Sequence, residues 1–171
     1  HIAVLQPAFD ALAPPGGFAH VGPVGAGHFT KMVHNGIEYG LMQAYGEGFA
    51  VLAAADDFGI DQAKLAEVAE AWRHGTVIRS WLLDLAARAL AEESFEHVQG
   101  YVEDSGEGRW TVEEAVRRGV PAPVITAAVY ERFSSRDPNL FSNRLLAVLR
   151  GQFGGHALKV HLVEDVEIPR E

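Results

Sequence analysis

A helical pattern runs from about Gly27 to Asp57, and Gly59 closes it. Shorter helices must pack around an axis of that length, so the spacing predicts a mainly α, all-helical domain built on one long helix. Gly36, Gly40, Gly46 and Gly48 interrupt the pattern. Each costs about 1 kcal/mol relative to Ala inside a helix, roughly 4 kcal/mol together, which close approach of a ligand or another backbone would offset. The alternative is a break near Gly46. Downstream, Asp61 is an N-cap for a helix to about Arg73. Thr76 to Glu92 is amphipathic, with Ile78, Trp81, Leu82, Leu85 and Leu90 on one face. A polar loop spans Glu103 to Arg109. Thr111 and Glu114 form a capping box for a short helix ending near Gly119. Pro121 and Pro123 open a helix to about Ser135. The last helix runs from about Asn139 to Phe153, with Leu140, Leu145, Leu146 and Leu149 inward, and Gly154-Gly155 stops it.

The first residues read differently. Residues 3 to 12 form a short helix with Pro7 in its first turn or at a kink. Ala13 to Gly17 is a break, and Phe18 to Val21 reads as a short strand. Together these predict the end of an α/β, Rossmann-type nucleotide-binding domain and a connecting loop over residues 1–24. Residues 25–171 then form the helical domain. The loop Gly22-Pro-Val-Gly-Ala-Gly27 is G-x-x-G-x-G rather than the dinucleotide fingerprint G-x-G-x-x-G. It is read as a domain connection. The chain opens at His1 in mid-pattern, which predicts a fragment of something longer.

Composition narrows the partners. The formal net charge of −9 disfavours nucleic acid and anionic membrane surfaces. There is no cysteine, so thiolate chemistry and disulfides are excluded. No apolar run suits a membrane span and no signal segment opens the chain. The expectation is a cytoplasmic protein with no membrane partner.

Lys31, His34, Asn35 and Glu38 stand three, four and seven residues apart, within an arc of roughly 100° on the long helix. A desolvated lysine loses its charge readily and becomes a base. A carboxylic acid on the same face delivers a different proton at a later step. His and Asn add groups that hold a carboxylate or hydroxyl. The competing reading is a solvated face with a Lys/Glu pair two turns apart. Arg109 and Thr111 lie near a helix start, where anions are favoured; taken alone, such a pattern is more often just a capped loop. Arg132 also reads as a surface arginine, and Arg150 and His156 as cations at a helix C-terminus. No HExxH or carboxylate cluster appears, so no metal is expected.

The run Gly25-Ala-Gly-His-Phe-Thr-Lys-Met-Val-His-Asn-Gly-Ile-Glu-Tyr-Gly40 closely resembles the signature of decarboxylating 6-phosphogluconate dehydrogenases. Gly22, Gly25, Gly27, Lys31 and Asn35 alone resemble the wider β-hydroxyacid dehydrogenase superfamily. The resemblance extends through Gly106-Glu-Gly-Arg-Trp-Thr111, Arg132-Phe-Ser-Ser135 and Phe153-Gly-Gly-His156, and the length is similar to that of the short bacterial-type branch. It implies that Lys31 is the general base at the substrate 3-hydroxyl and that Glu38 is the acid that protonates the enediol carbon. His34 and Asn35 would hold the sugar acid. Tyr39, Arg109, Thr111, Arg132 and Arg150 would contact the phosphate, and His156 a substrate oxygen. It further implies NAD or NADP as cofactor, bound mainly by an upstream domain; 6-phosphogluconate as substrate; and a homodimer or higher oligomer that shares Arg150 and His156 between subunits. The family usually has Lys where this chain has Arg109. This stretch alone is expected to be inactive without the nucleotide domain.

Two other readings follow from the same residues. Another β-hydroxyacid dehydrogenase, acting on an acid such as 3-hydroxyisobutyrate, would need Lys31 and Asn35 but neither Glu38 nor the arginines. A non-catalytic helical dimerisation module would need none of them.

Overall fold

The computed structural model describes residues 2–137 and 140–154. Seven α-helices account for most of them: α1 (Ile2–Leu12), α2 (Ala26–Ala53), α3 (Gln62–Arg73), α4 (Trp81–Leu90), α5 (Glu107–Arg118), α6 (Pro123–Ser134) and α7 (Phe141–Gly154). Single 3-10 turns lie at Asp56–Phe58 and Glu93–His97.

The long helix is present and does not break at Gly46. Its two halves are buried by different neighbours. The C-terminal half meets α3 and α4, where Phe49, Leu65, Ala69, Leu83, Ala87 and Leu90 form one core. Trp72 closes on Phe49, ring centroids 5.6 Å apart. The N-terminal half meets α5 and α6, where Tyr39, Ala128 and Val129 form a second, smaller core edged by Val112 and Phe133. Asp61 caps α3 as expected, its carboxylate accepting from the Lys64 N–H at 2.9 Å. Ser80 does the same for α4 through Leu83. Tyr45 on α2 donates to the Ile78 carbonyl and lies 2.8 Å from the Ser80 hydroxyl, which pins the α3–α4 connection.

Several expectations are corrected. No strand occurs among the described residues, and residues 18–21 run as irregular chain. A lone extended segment has no ladder partner to satisfy its backbone groups. The helix expected over 76–92 is only Trp81–Leu90, and its buried face is Leu83, Ala87 and Leu90. Leu82 and Leu85 instead line an apolar groove with Met42, Phe49 and Phe95. Thr111 does not open a helix. Gly106 caps α5 at φ 105°, so Thr111 lies in the helix's second turn and is buried. Glu114 pairs with Arg117 and Arg118 rather than closing a capping box. On α7, Leu145, Leu146 and Leu149 are exposed, not inward.

The glycines of α2 divide by function. A Cβ at Gly36 would sit 2.7 Å from the Thr111 methyl, and one at Gly40 would sit 3.2 Å from Val124. These are where α5 and α6 approach the α2 backbone. Gly46 and Gly48 have nothing within 4 Å, so close approach among the described residues does not offset their cost.

Candidate active site

The stripe forms on α2. The Lys31 ammonium donates to the Asn35 side-chain oxygen at 2.6 Å and lies 3.2 Å from His34 Nδ1. The same His34 nitrogen is 3.1 Å from the Asn35 oxygen and 3.9 Å from a Glu38 carboxylate oxygen. One helix face therefore carries an amine, an amide, an imidazole and a carboxylate in a connected line. Lys31 and His34 are exposed, and Asn35 and Glu38 are half-buried. Among the described residues nothing encloses the amine, so the enclosure expected for Lys31 is not built by them.

One turn further along, Tyr39 is buried against Gly108 of α5, where a Cβ would meet its ring at 2.5 Å. Only glycine lets the start of α5 lie flat on that ring. The Tyr39 hydroxyl accepts from the Ser105 N–H at 3.3 Å. Thr111 is tucked under the stripe, its hydroxyl within hydrogen-bonding distance of the carbonyls of Met32 (2.9 Å) and Glu107 (2.8 Å). In this chain Thr111 therefore joins α5 to α2.

The cations gather on the segment before α5. Arg132 stacks on the Tyr39 ring, its guanidinium carbon 3.6 Å from the centroid, and donates to the Glu103 carbonyl at 2.8 Å. Arg109 donates through Nε to Asp104 at 2.8 Å, and Arg136 binds the other Asp104 oxygen. Arg136 also reaches the Val102 carbonyl, and the Ser135 hydroxyl accepts from the Val102 N–H. Three guanidiniums thus clasp the consecutive residues Val102, Glu103 and Asp104. The Asp104 side chain is only 1% exposed, and Arg136 first, then Arg109, hold its carboxyl below the usual carboxylate range. Arg150 belongs to α7, but its side chain lies outside the described residues, as does His156 altogether.

Sequence reasoning missed Asp104, Arg136 and Glu107. The first two carry no motif signal; an acid in a polar loop and an arginine past a helix end read as surface charge. Glu107, the first residue of α5, has a buried Oε2 without a hydrogen-bonding partner among the described residues. The Ser105 side chain and the backbone N–H at the helix start lower its pKa, helped by the Asn35 amide and the charge of Lys31. Its carboxylate thus belongs electrostatically to the Lys31–Asn35 end of the stripe. Among the described residues no group of three or more His, Asp or Glu side chains could hold a metal, and no helix is long and apolar enough to cross a membrane.

The chain is similar to known proteins along most of its length. The model of the 6-phosphogluconate dehydrogenase C-terminal domain matches residues 27–160. An NAD(+)-dependent, decarboxylating 6-phosphogluconate dehydrogenase of Haloferax volcanii is 48% identical over 155 residues, covering 89% of this chain and 50% of that protein. A decarboxylating 6-phosphogluconate dehydrogenase of Lactococcus lactis is 34% identical over 173 residues, covering 92% of this chain and 36% of that one. Among solved structures, the Plasmodium falciparum 6-phosphogluconate dehydrogenase superposes with a TM-score of 0.64 at 30% identity. It covers 86% of this chain and 32% of its own, and was studied as apo form and with NADP+ and 6-phosphogluconate. The chain spans half or less of the length of these relatives.

Proposed function

Because the chain belongs to the 6-phosphogluconate dehydrogenase family, through its C-terminal helical domain, we propose that the protein of which it is part oxidises and decarboxylates 6-phosphogluconate to ribulose 5-phosphate and carbon dioxide. The observation that carries this is the Lys31–Asn35–His34–Glu38 line, with an amine and a carboxylate on one helix face.

Lys31, as the general base, takes the proton of the 3-hydroxyl while that carbon gives up a hydride. The 3-keto acid loses carbon dioxide, and the protonated Lys31 donates to the oxygen on which enolate charge develops. Glu38, in its acid form, then delivers a proton to the carbon that lost the carboxylate. His34 and Asn35 orient the sugar acid. Tyr39, Arg132 and Arg109 face the phosphate, joined by Arg150 from a second subunit of a homodimer or larger assembly, which also lends His156 to a substrate oxygen. The two negative charges of a phosphate monoester suit a cluster of guanidiniums that an acidic chain concentrates in one place.

The hydride acceptor is NAD or NADP. The described residues contain no strand–glycine turn–helix unit that would cradle a pyrophosphate. The Haloferax volcanii relative's dependence on NAD(+) tilts the expectation toward NAD.

The deciding experiment supplies the intact protein with 6-phosphogluconate and either nucleotide, following reduced nucleotide, carbon dioxide and ribulose 5-phosphate together. Equal formation of all three supports the reading. Turnover of 3-hydroxyisobutyrate in place of 6-phosphogluconate, or of neither acid, ends it.

A further inference from the structure

Arg109 spends one edge of its guanidinium inside the protein. Its Nε–H points at the Asp104 carboxylate, 2.8 Å away, while the side chain remains 51% exposed. A guanidinium bound through Nε keeps its two terminal nitrogens as a parallel pair of donors on the opposite end. Asp104 is in turn held from its other oxygen by Arg136, on a segment that Arg132 and Ser135 also grip. The carboxylate is therefore fixed before any ligand arrives. An ammonium could not play both parts; it is a point charge, and Asp104 would attract it away from an outer anion.

We propose that Asp104 is a positioning residue for the phosphate end of the substrate: it anchors the Nε of Arg109 so that the two terminal nitrogens are presented, already oriented, to two phosphate oxygens. This rests on the function proposed above and adds to it a specificity element that spans the segment before α5. It also gives a reason for arginine at position 109, since only a forked cation can bind the buried acid and the phosphate together.

The test uses the intact protein with D104N, R109K and the double variant, reading kcat and KM for 6-phosphogluconate, KM for the nucleotide, and competitive inhibition by inorganic phosphate. D104N is expected to raise KM for 6-phosphogluconate and the inhibition constant for phosphate together, by about tenfold, with kcat and the nucleotide KM little changed. R109K raises the same two constants, because the lysine pairs with Asp104. Adding D104N to R109K lowers them again, because the ammonium is released. A purely structural role for Asp104 would instead lower thermal stability and the active fraction without a selective rise in these constants. The inference is overturned if folded D104N keeps wild-type constants. If D104N does not fold, R109K alone decides: wild-type constants overturn the inference, and a joint rise in both supports it. Failure of the wild-type protein to oxidise 6-phosphogluconate would sink the parent reading instead, and is seen before any variant is made.

Discussion

Arg132 sits over the ring of Tyr39, guanidinium carbon 3.6 Å from the centroid, and the two come from α6 and α2. The stack welds a cation to the helix that carries Lys31 and Glu38. It also leaves the guanidinium edge to hold the Glu103 carbonyl.

Arg132→Ala should raise KM for 6-phosphogluconate by about ten- to a hundredfold, with a smaller effect on kcat. Arg132→Lys should rescue little, because an ammonium cannot lie on the ring as a plane and donate sideways to the carbonyl as well. Steady-state kinetics on the intact protein provides the check, and full activity in Arg132→Lys would contradict the stacking argument.

Lys31→Met should reduce kcat by ~100- to 10,000-fold, with circular dichroism and thermal midpoint close to wild type because the side chain is exposed. A helical module used only for assembly would keep its parent's turnover.

Glu38→Gln should preserve nucleotide reduction in a single turnover and slow product formation, since its acid acts after oxidation. Trapping the keto or enediol intermediate by rapid quench distinguishes this from a general loss of binding. Unchanged ribulose 5-phosphate formation would remove Glu38 from the reaction.

Gly36→Ala and Gly46→Ala should move stability in opposite directions. The first drives a methyl to 2.7 Å from Thr111 and should cost about 1–3 kcal/mol. The second meets open space inside a helix and should gain roughly 0.5–1 kcal/mol. Denaturant titration measures both.

Asp104 has its carboxyl pKa lowered by Arg136 and Arg109, and Glu107 by Ser105 and the backbone at the start of α5. A depressed folded-state pKa contributes stability above the unfolded value, and that contribution is lost as pH falls through the folded one. Stability from these two groups should hold down to about pH 5 and decline below about pH 4. The decline should be shallower in Asp104→Asn, as thermal midpoints across an acid series would show.

The long helix, the Asp61 cap and the α6 start at Pro123 were legible in the sequence because each depends on local periodicity or one capping contact. The stripe was legible for the same reason, since helical pitch alone sets the spacing of Lys31, His34, Asn35 and Glu38. What stayed hidden depends on neighbours distant in the chain. Thr111 has the spacing of a cap, but the left-handed Gly106 starts the helix earlier and burial against Gly36 claims its hydroxyl. The inward face expected on the last helix was read from leucine spacing, which cannot say what, if anything, covers it. Asp104 acquires meaning only when α6 and the following Arg136 fold back over it.

Gly36 and Gly108 are two bare patches of backbone through which α5 settles onto α2, one under Thr111 and one under Tyr39. They act as a pair of locating pins. The distance from the Lys31–Glu38 stripe to the Arg109 end of α5 is then set by main-chain contact rather than by adjustable side chains, so on the proposed function the site would gauge the length of a sugar acid much as a fixed-gap calliper does.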